Sequence, residues 1–65
     1  MKWLNAGMRE QYVVEFIDWL KQNGIMVGEP FEIYGIWKVP YMPIGREQKE
    51  MCEQYIEYCC NNDLL

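Results

Sequence analysis

The sequence predicts a single small α+β domain over residues 1–65, built in two layers with the order helix, β-hairpin, helix (α-β-β-α). Apolar residues recur at spacings of three and four in two long segments, which is typical of amphipathic helices. Between these segments, apolar and polar residues alternate within boundaries of glycine and proline, which indicates short antiparallel strands. A chain of this length has room for one hydrophobic core.

The first helix is predicted over residues 8–23, after a lead-in at residues 1–7 in which Asn5 or Gly7 provides the cap. Asn23 and Gly24 then predict its end, because glycine readily adopts the left-handed conformation that closes a helix. The apolar face of this helix is expected to consist of Met8, Tyr12, Phe16, Trp19 and Leu20.

The central segment is predicted to form a small antiparallel hairpin. Ile25–Val27 suits a short strand, and Phe31–Val39 alternates as a strand does. Gly35 indicates either a bulge or a turn that divides this stretch into two shorter strands. Pro40 and Pro43 are expected to end regular structure. Uninterrupted alternation would place Phe31, Ile33, Gly35, Trp37 and Val39 on one face, and Glu32, Tyr34, Ile36 and Lys38 on the other.

The second helix is predicted over Arg46 to Cys60, with Gly45 as its cap. Its apolar side is expected to consist of Met51, Cys52, Tyr55, Ile56 and Cys59. Glu50, Glu53 and Glu57 recur at helical spacing and form an acidic line on another side.

The residue types that are missing argue against catalysis. The chain contains no histidine, serine or threonine. It therefore lacks the groups for a Ser-His-Asp triad, for a Cys-His pair, or for an imidazole general base. Three cysteines without an imidazole fall short of the four ligands of a structural zinc site. We expect no enzyme activity, no cofactor and no metal.

The net charge limits the classes of partner that are expected, and the cysteines indicate the cellular compartment. Ten acidic and six basic residues give a net charge of −4, which disfavours direct binding to nucleic acid and to anionic membranes. The first residues do not resemble a signal peptide, and the sequence has no apolar run long enough for a transmembrane helix. Three clustered cysteines are most simply reduced thiols, so a cytoplasmic location is expected.

The aromatic content favours a contact surface. Ten aromatic residues are many for so small an interior, and tyrosine and tryptophan are frequent anchors in protein interfaces. Residues 34–42 concentrate aromatic residues and methionine where a two-layer domain cannot bury both faces of a strand. The partner-binding residues expected here are Tyr34, Ile36, Trp37, Tyr41 and Met42. The alternative is that the second helix covers this segment.

The acidic line Glu50, Glu53 and Glu57 is a second expected contact surface. Carboxylates spaced along a helix are suited to the lysine and arginine rows of a nucleic-acid-binding protein. The alternative is an ordinary solvated helix face.

These features favour a non-catalytic protein-binding domain whose partner is another protein, with a nucleic-acid-binding host protein as one candidate. By analogy of size and charge alone, the specific hypothesis is a small phage or mobile-element inhibitor of a host defence system, of the anti-CRISPR type. The alternatives are a self-associating structural module, in which a homodimer buries the aromatic residues, and a small DNA-binding regulator of helix–hairpin type. The scattered and outnumbered basic residues disfavour the last of these.

Overall fold

A computed structural model describes residues 2–62, with the backbone alone described at residues 61 and 62. The fold is α+β, as predicted, and the predicted order of helix, hairpin and helix is roughly consistent with the elements that follow the first strand. The sheet has four strands where a two-stranded hairpin was expected, and the first of them was not predicted. In chain order the elements are β1 (Leu4–Met8), α1 (Glu10–Gln22), β2 (Met26–Val27), β3 (Phe31–Ile33), β4 (Ile36–Met42) and α2 (Gly45–Asn62).

The sheet is antiparallel, with β4 as its central strand. On one side β1 pairs with β4 along its whole length, from Leu4 opposite Tyr41 to Met8 opposite Trp37. On the other side two short strands share the edge, since β3 pairs with the first half of β4 and β2 with its end. The longest strand thus holds the other three together.

The prediction of an irregular lead-in at residues 1–7 is wrong, because residues 4–8 form β1. Met8 is consequently a strand residue, and the first helix begins at Glu10 rather than at Met8. The residue before it, Arg9, takes the N-cap position with an extended backbone, in place of the predicted Asn5 or Gly7. Met8 and Tyr12 have helical spacing in the sequence, but they belong to two elements, β1 and α1, whose side chains pack in the same core.

The end of α1 is as predicted. Gly24 has a φ of 70°, and the amide of Ile25 donates to the carbonyl of Leu20 at 2.9 Å while that of Gly24 donates to Lys21 at 3.2 Å. This pair of bonds is a Schellman motif. The side-chain amide of Asn23 adds a 2.8 Å bond to the Trp19 carbonyl. The chain therefore leaves α1 in a fixed direction toward β2.

Gly35 belongs to a turn, the second of the two predicted alternatives. Tyr34 and Gly35, with φ values of 51° and 83°, connect Ile33 and Ile36, which are cross-strand partners. Two positive φ values are required by the type I′ turn that joins tightly paired strands. Because the chain turns here, the predicted assignment of residues 31–39 to the two faces of one strand is wrong. A two-residue turn places Phe31 on the same face as Ile36, whereas uninterrupted alternation separates them.

Pro40 does not end β4, contrary to the prediction. The carbonyl of Pro40 accepts a 2.8 Å hydrogen bond from the Gly28 amide, on the side of the sheet where β2 and β3 are interrupted. Because the N–H and C=O of a residue in an antiparallel strand point to the same side, the missing N–H of Pro40 falls in that gap. Proline is tolerated in this central strand because no neighbouring strand requires its donor.

Both helices pack on the same face of the sheet, so the fold has two layers. The buried core contains residues from β1, α1, β4 and α2 together with Ile25, which joins α1 to β2. Phe16, Leu20, Val39, Cys52 and Cys59 are its fully buried side chains.

The second helix begins at Gly45, where the Gln48 side-chain carbonyl accepts a 2.8 Å bond from the Ile44 amide, and it extends beyond the predicted Cys60. Within residues 2–62, no helix has the length and apolar character needed to span a membrane.

Candidate functional site

The face of the sheet opposite the helices, which we call the outer face, presents a strip of large apolar side chains to solvent. The register places Phe31, Ile33, Ile36 and Met26 there, because residues paired directly across antiparallel strands share a face. Trp3 reaches the same face from the residue before β1, and its ring lies 3.6 Å from where a Cβ on Gly28 would be. These five side chains are between 39 and 55% exposed.

One cation lies on this apolar strip. The described strands contain two charged residues, Glu32 and Lys38. The register places Glu32 on the helix side, where its carboxylate accepts a 3.0 Å bond from the Gly35 amide, and places Lys38 on the outer face. The half-buried Lys38 side chain extends across Gly7, since a Cβ there would be 3.4 Å from Nζ. The bare backbone of Gly7 thus makes room for the lysine stem.

Tyr34 extends the outer face at the tip of the hairpin. Its side chain is fully exposed, and its φ of 51° lies in the left-handed region that residues other than glycine, asparagine and aspartate rarely adopt. Asparagine before glycine is the preferred sequence for such a turn. A tyrosine here combines backbone strain with complete exposure of its ring.

The predicted contact residues of segment 34–42 are divided between two faces. Tyr34 and Ile36 are exposed and belong to the outer face or its tip, and Met42 is half-buried on the same face opposite Met26. Trp37 is half-buried on the helix side. The expectation that Tyr41 forms part of a surface patch is wrong, because its side chain is 4% exposed and lies in the core.

Tyr41 is buried because of its place in the alternation of β4. It shares the helix-side face with Val39 and contacts Phe16 edge to face, with the ring centres 5.9 Å apart. Burial, followed by the nearby Cys52 and Glu53, raises the pKa of its phenol. The side chain is a structural part of the core.

The acidic line Glu50, Glu53 and Glu57 is exposed on α2, where the three carboxylates and Gln54 line a shallow groove of about 390 Å³. This groove belongs to the helix layer, and the sheet separates it from the outer face. The structure therefore does not bring the two predicted contact surfaces together. A single flat partner surface contacts one or the other.

Six aromatic rings join the helices to each other and to the sheet. Trp19 of α1 stacks on Tyr55 of α2 with ring centres 4.7 Å apart, and Phe16 stacks on Tyr55 at 5.6 Å. The Tyr55 hydroxyl donates a 2.6 Å hydrogen bond to the Glu15 carboxylate. Burial and this hydrogen bond raise the pKa of the Tyr55 phenol. Tyr12, Tyr41 and Tyr58 complete the group. Many of the aromatic residues are thus accounted for by packing between elements.

The buried cysteines are poor nucleophiles. Burial in the core, with a smaller contribution from a neighbouring carboxylate, raises the pKa of the Cys52 and Cys59 thiols to about 11. A thiol with such a pKa is almost entirely protonated at neutral pH, and the thiolate is the reactive form. The exposed Cys60 thiol lies 3.6 Å from the Gly7 carbonyl, which it meets at the free edge of β1.

Metal ligands are not grouped among the described residues, and three of the basic residues lie on separate elements. Among the residues it describes, no three histidine, cysteine, aspartate or glutamate side chains are grouped to hold a metal ion. Lys21 lies in the last turn of α1, Lys38 on the outer face, and Arg46 near the start of α2.

Sequence reasoning missed four residues of the outer face, Trp3, Met26, Phe31 and Ile33. The signal that could have identified the last two is the spacing around Tyr34–Gly35. If these two residues are a turn, Ile33 and Ile36 become cross-strand partners and their apolar side chains fall on one face. Trp3 and Met26 depend on strand pairings between distant parts of the chain, which no local pattern indicates.

The fold and site define a small two-layer α+β domain with one apolar sheet face open to solvent. No family model, curated protein or solved structure matches this chain.

Proposed function

We propose that this chain is a non-catalytic protein-binding domain that acts by contact, and that the outer face is its binding surface. The observation that carries the proposal is the exposure of Trp3, Met26, Phe31, Ile33 and Ile36 on one side of a sheet whose other side is covered by both helices. Contiguous exposed apolar side chains on a small domain mark interaction sites.

The conformation of Tyr34 supports this assignment. A residue in the left-handed region costs about 1 kcal/mol or more relative to one that tolerates it. Tyr34 is fully exposed and buries no surface within the domain, so its ring makes no packing contribution that offsets this cost. Strain of this kind is concentrated at functional positions. A contact with a partner gives the exposed ring a role.

The chemistry of the chain supports action by contact. It has neither imidazole nor aliphatic hydroxyl groups, and the pKa values of its two buried thiols lie at about 11. What the surface offers is shape, aromatic area and charge. This fits an inhibitor that occupies the working surface of a larger protein, of the kind that phages and mobile elements direct against host defence systems. A reducing, cytoplasmic compartment belongs to the proposal, because Cys52, Cys59 and Cys60 are free.

The test is capture of a partner by wild-type and variant chains from lysate of the source cells or, if the source is a phage, of the infected host. Ile33→Asp places a carboxylate on the outer face. Val14→Asp is the matched control, since Val14 is 69% exposed on α1, in the helix layer. A stoichiometric partner that is retained by Val14→Asp and lost by Ile33→Asp supports the proposal.

The opposite pattern of capture would assign the contact to the helix layer and contradict the proposed face. A triple change of Glu50, Glu53 and Glu57 to glutamine tests that surface separately. If this variant alone loses the partner, the acidic line is the binding surface. If light scattering finds a dimer that Ile33→Asp dissociates, the outer face is a self-association surface, which contradicts its assignment to a heterologous partner.

A further inference from the structure

We infer that the outer face binds one amphipathic α-helix of its partner, and that this helix carries a carboxylate opposite Lys38. The inference rests on the proposed function and specifies the recognised element. The width of the apolar strip, the edges of the sheet and the position of the cation support it.

The apolar strip is as wide as one helix. Four of its members lie on β4 and on the β2–β3 edge, and the ring of Trp3 reaches toward Gly28 from the residue before β1. The outer positions of β1 itself, Asn5 and Gly7, contribute no large apolar side chain. Two strands at about 4.8 Å spacing make a strip roughly 10 Å wide. A helix with its side chains is about 10–12 Å in diameter. The seven residues of β4 span about 23 Å, which corresponds to roughly 15 helical residues.

The edges of the sheet disfavour an added strand as the partner element. On one edge β2 and β3 have two and three residues, and the segment Gly28–Pro30 interrupts them. Short strands and proline at an edge are features that prevent pairing with another chain. On the other edge the thiol of Cys60 lies against the Gly7 carbonyl of β1, which is then not free for a ladder. Since neither edge of the sheet is suited to an added strand, the sheet is expected to bind a partner through its outer face.

The position of Lys38 disfavours a second copy of this chain. Lys38 lies on the central strand, and a twofold pairing of outer faces centred on that strand would bring two ammonium groups close together. The available area is also small. The outer face covers roughly 14 Å by 23 Å, which is small for pairing two domains through one face. A single helix needs less area than a second sheet does.

Lys38 also specifies the charge of the helix. Docking removes water from a half-buried cation that is flanked by Phe31 and Ile36, and an unpaired charge in such a site is costly. A carboxylate on the partner compensates for that cost. The lysine side chain lies over Gly7, so its ammonium group is at the border of the strip beside β1. The recognised helix therefore has apolar residues spaced by three and four and an aspartate or glutamate among them.

The experiment is a selection of peptides from a random 18-residue display library on the purified wild-type chain. We expect the enriched peptides to share apolar spacings of three and four with an acidic residue, and to become helical on binding. Lys38→Glu should weaken the binding of a selected peptide by more than about tenfold, whereas the matched Lys21→Glu should change it less than about twofold. Exchanging the acidic residue of the peptide for lysine should restore binding to Lys38→Glu.

Other results distinguish the two proposals. Peptides with apolar residues at every second position that lose binding with Ile33→Asp would overturn the helix inference and leave the outer face as the site. Peptides that bind Ile33→Asp and Phe31→Ser as tightly as wild type would overturn both. If no peptide is enriched above a control selection without the protein, the helix inference is also overturned. Circular dichroism on each variant establishes that it is folded.

Discussion

The phenolic oxygen of Tyr55 lies 2.6 Å from Oε2 of Glu15, 40 residues away in the chain, and this hydrogen bond joins α2 to α1. The helix layer thus has a polar link at its surface in addition to the stacked rings of Trp19, Phe16 and Tyr55. The link holds α2, which contacts the sheet mainly through β1, in its place beside α1.

We predict that Tyr55→Phe lowers the free energy of unfolding by about 0.5–1 kcal/mol, because the ring stacking is retained and one partly exposed hydrogen bond is lost. Urea unfolding followed by far-UV circular dichroism measures the change. Tyr34→Phe is the control, since Tyr34 is fully exposed, and it should leave stability unchanged. Equal stability of Tyr55→Phe and wild type would show that the Glu15 bond contributes nothing.

Alkaline pH should destabilise the fold through its buried thiols. Burial raises the pKa of Cys52 and of Cys59 from 9.0 to about 11, so the folded state binds their protons more tightly than the unfolded state does. This contribution to stability is fully present below pH 9 and is lost as the pH rises toward 11. Unfolding free energies measured between pH 8 and 11 should decline. The phenols of Tyr41 and Tyr55, whose pKa values are also raised, extend the decline above pH 10.

The double variant Cys52→Ala/Cys59→Ala should be less stable at pH 7 and should show a flatter decline between pH 9 and 10. Cys60→Ala, which removes the exposed thiol, should retain the wild-type decline. An unchanged slope in the double variant would be inconsistent with a role for the two buried thiols.

Replacing the strained residue of the hairpin should stabilise the domain. Tyr34→Asn substitutes a residue that tolerates positive φ and favours type I′ turns before glycine, so we expect a gain of about 0.5–1 kcal/mol. For a domain of this size the melting temperature should rise by about 2–8 °C. Tyr34→Ala, which removes the ring but keeps the backbone cost, should give little or no gain. A stabilised Tyr34→Asn chain that binds its partner less well would connect the strain with function.

Truncation of a core side chain should lower the free energy of unfolding much more than truncation of a side chain on the outer face. Tyr41→Ala removes a buried ring and should cost about 3–4 kcal/mol. The free energy of unfolding of a domain of this size is roughly 3–5 kcal/mol in total, so this variant should be largely unfolded at 25 °C. Ile33→Ala, on the outer face, should cost less than about 1 kcal/mol. Circular dichroism and urea titration distinguish the two, and a fully folded Tyr41→Ala chain would contradict the core assignment.

Local signals were enough to predict both helices and the hairpin. The end of α1 follows from Asn23–Gly24, which determine their own backbone geometry, and α2 follows from a long uninterrupted helical spacing. β1 was missed because Asn5, Ala6 and Gly7 have weak strand preference, and they become a strand through pairing with β4.

The contact residues were predicted less well than the fold. Whether a side chain of β4 faces the core or solvent depends on whether the chain turns at Tyr34–Gly35 or continues straight, and the sequence permits both. Tyr34 and Ile36 were expected at the surface and are exposed there. Tyr41 was misplaced because Pro40 was expected to end the strand. Since β4 continues through Pro40, alternation places Tyr41 with Val39 on the face that the helices cover.

The pairing of the first strand with the fifth element has a consequence for synthesis of the chain. Leu4–Met8 is synthesised before Ile36–Met42, so the first segment has no partner strand until β4 has been made. Asparagine, alanine and glycine make that waiting segment a poor template for aggregation with other nascent chains. The core is complete only when α2 is present, because Cys52 and Cys59 fill its interior, so folding of this domain depends on its last helix as well as on its first strand.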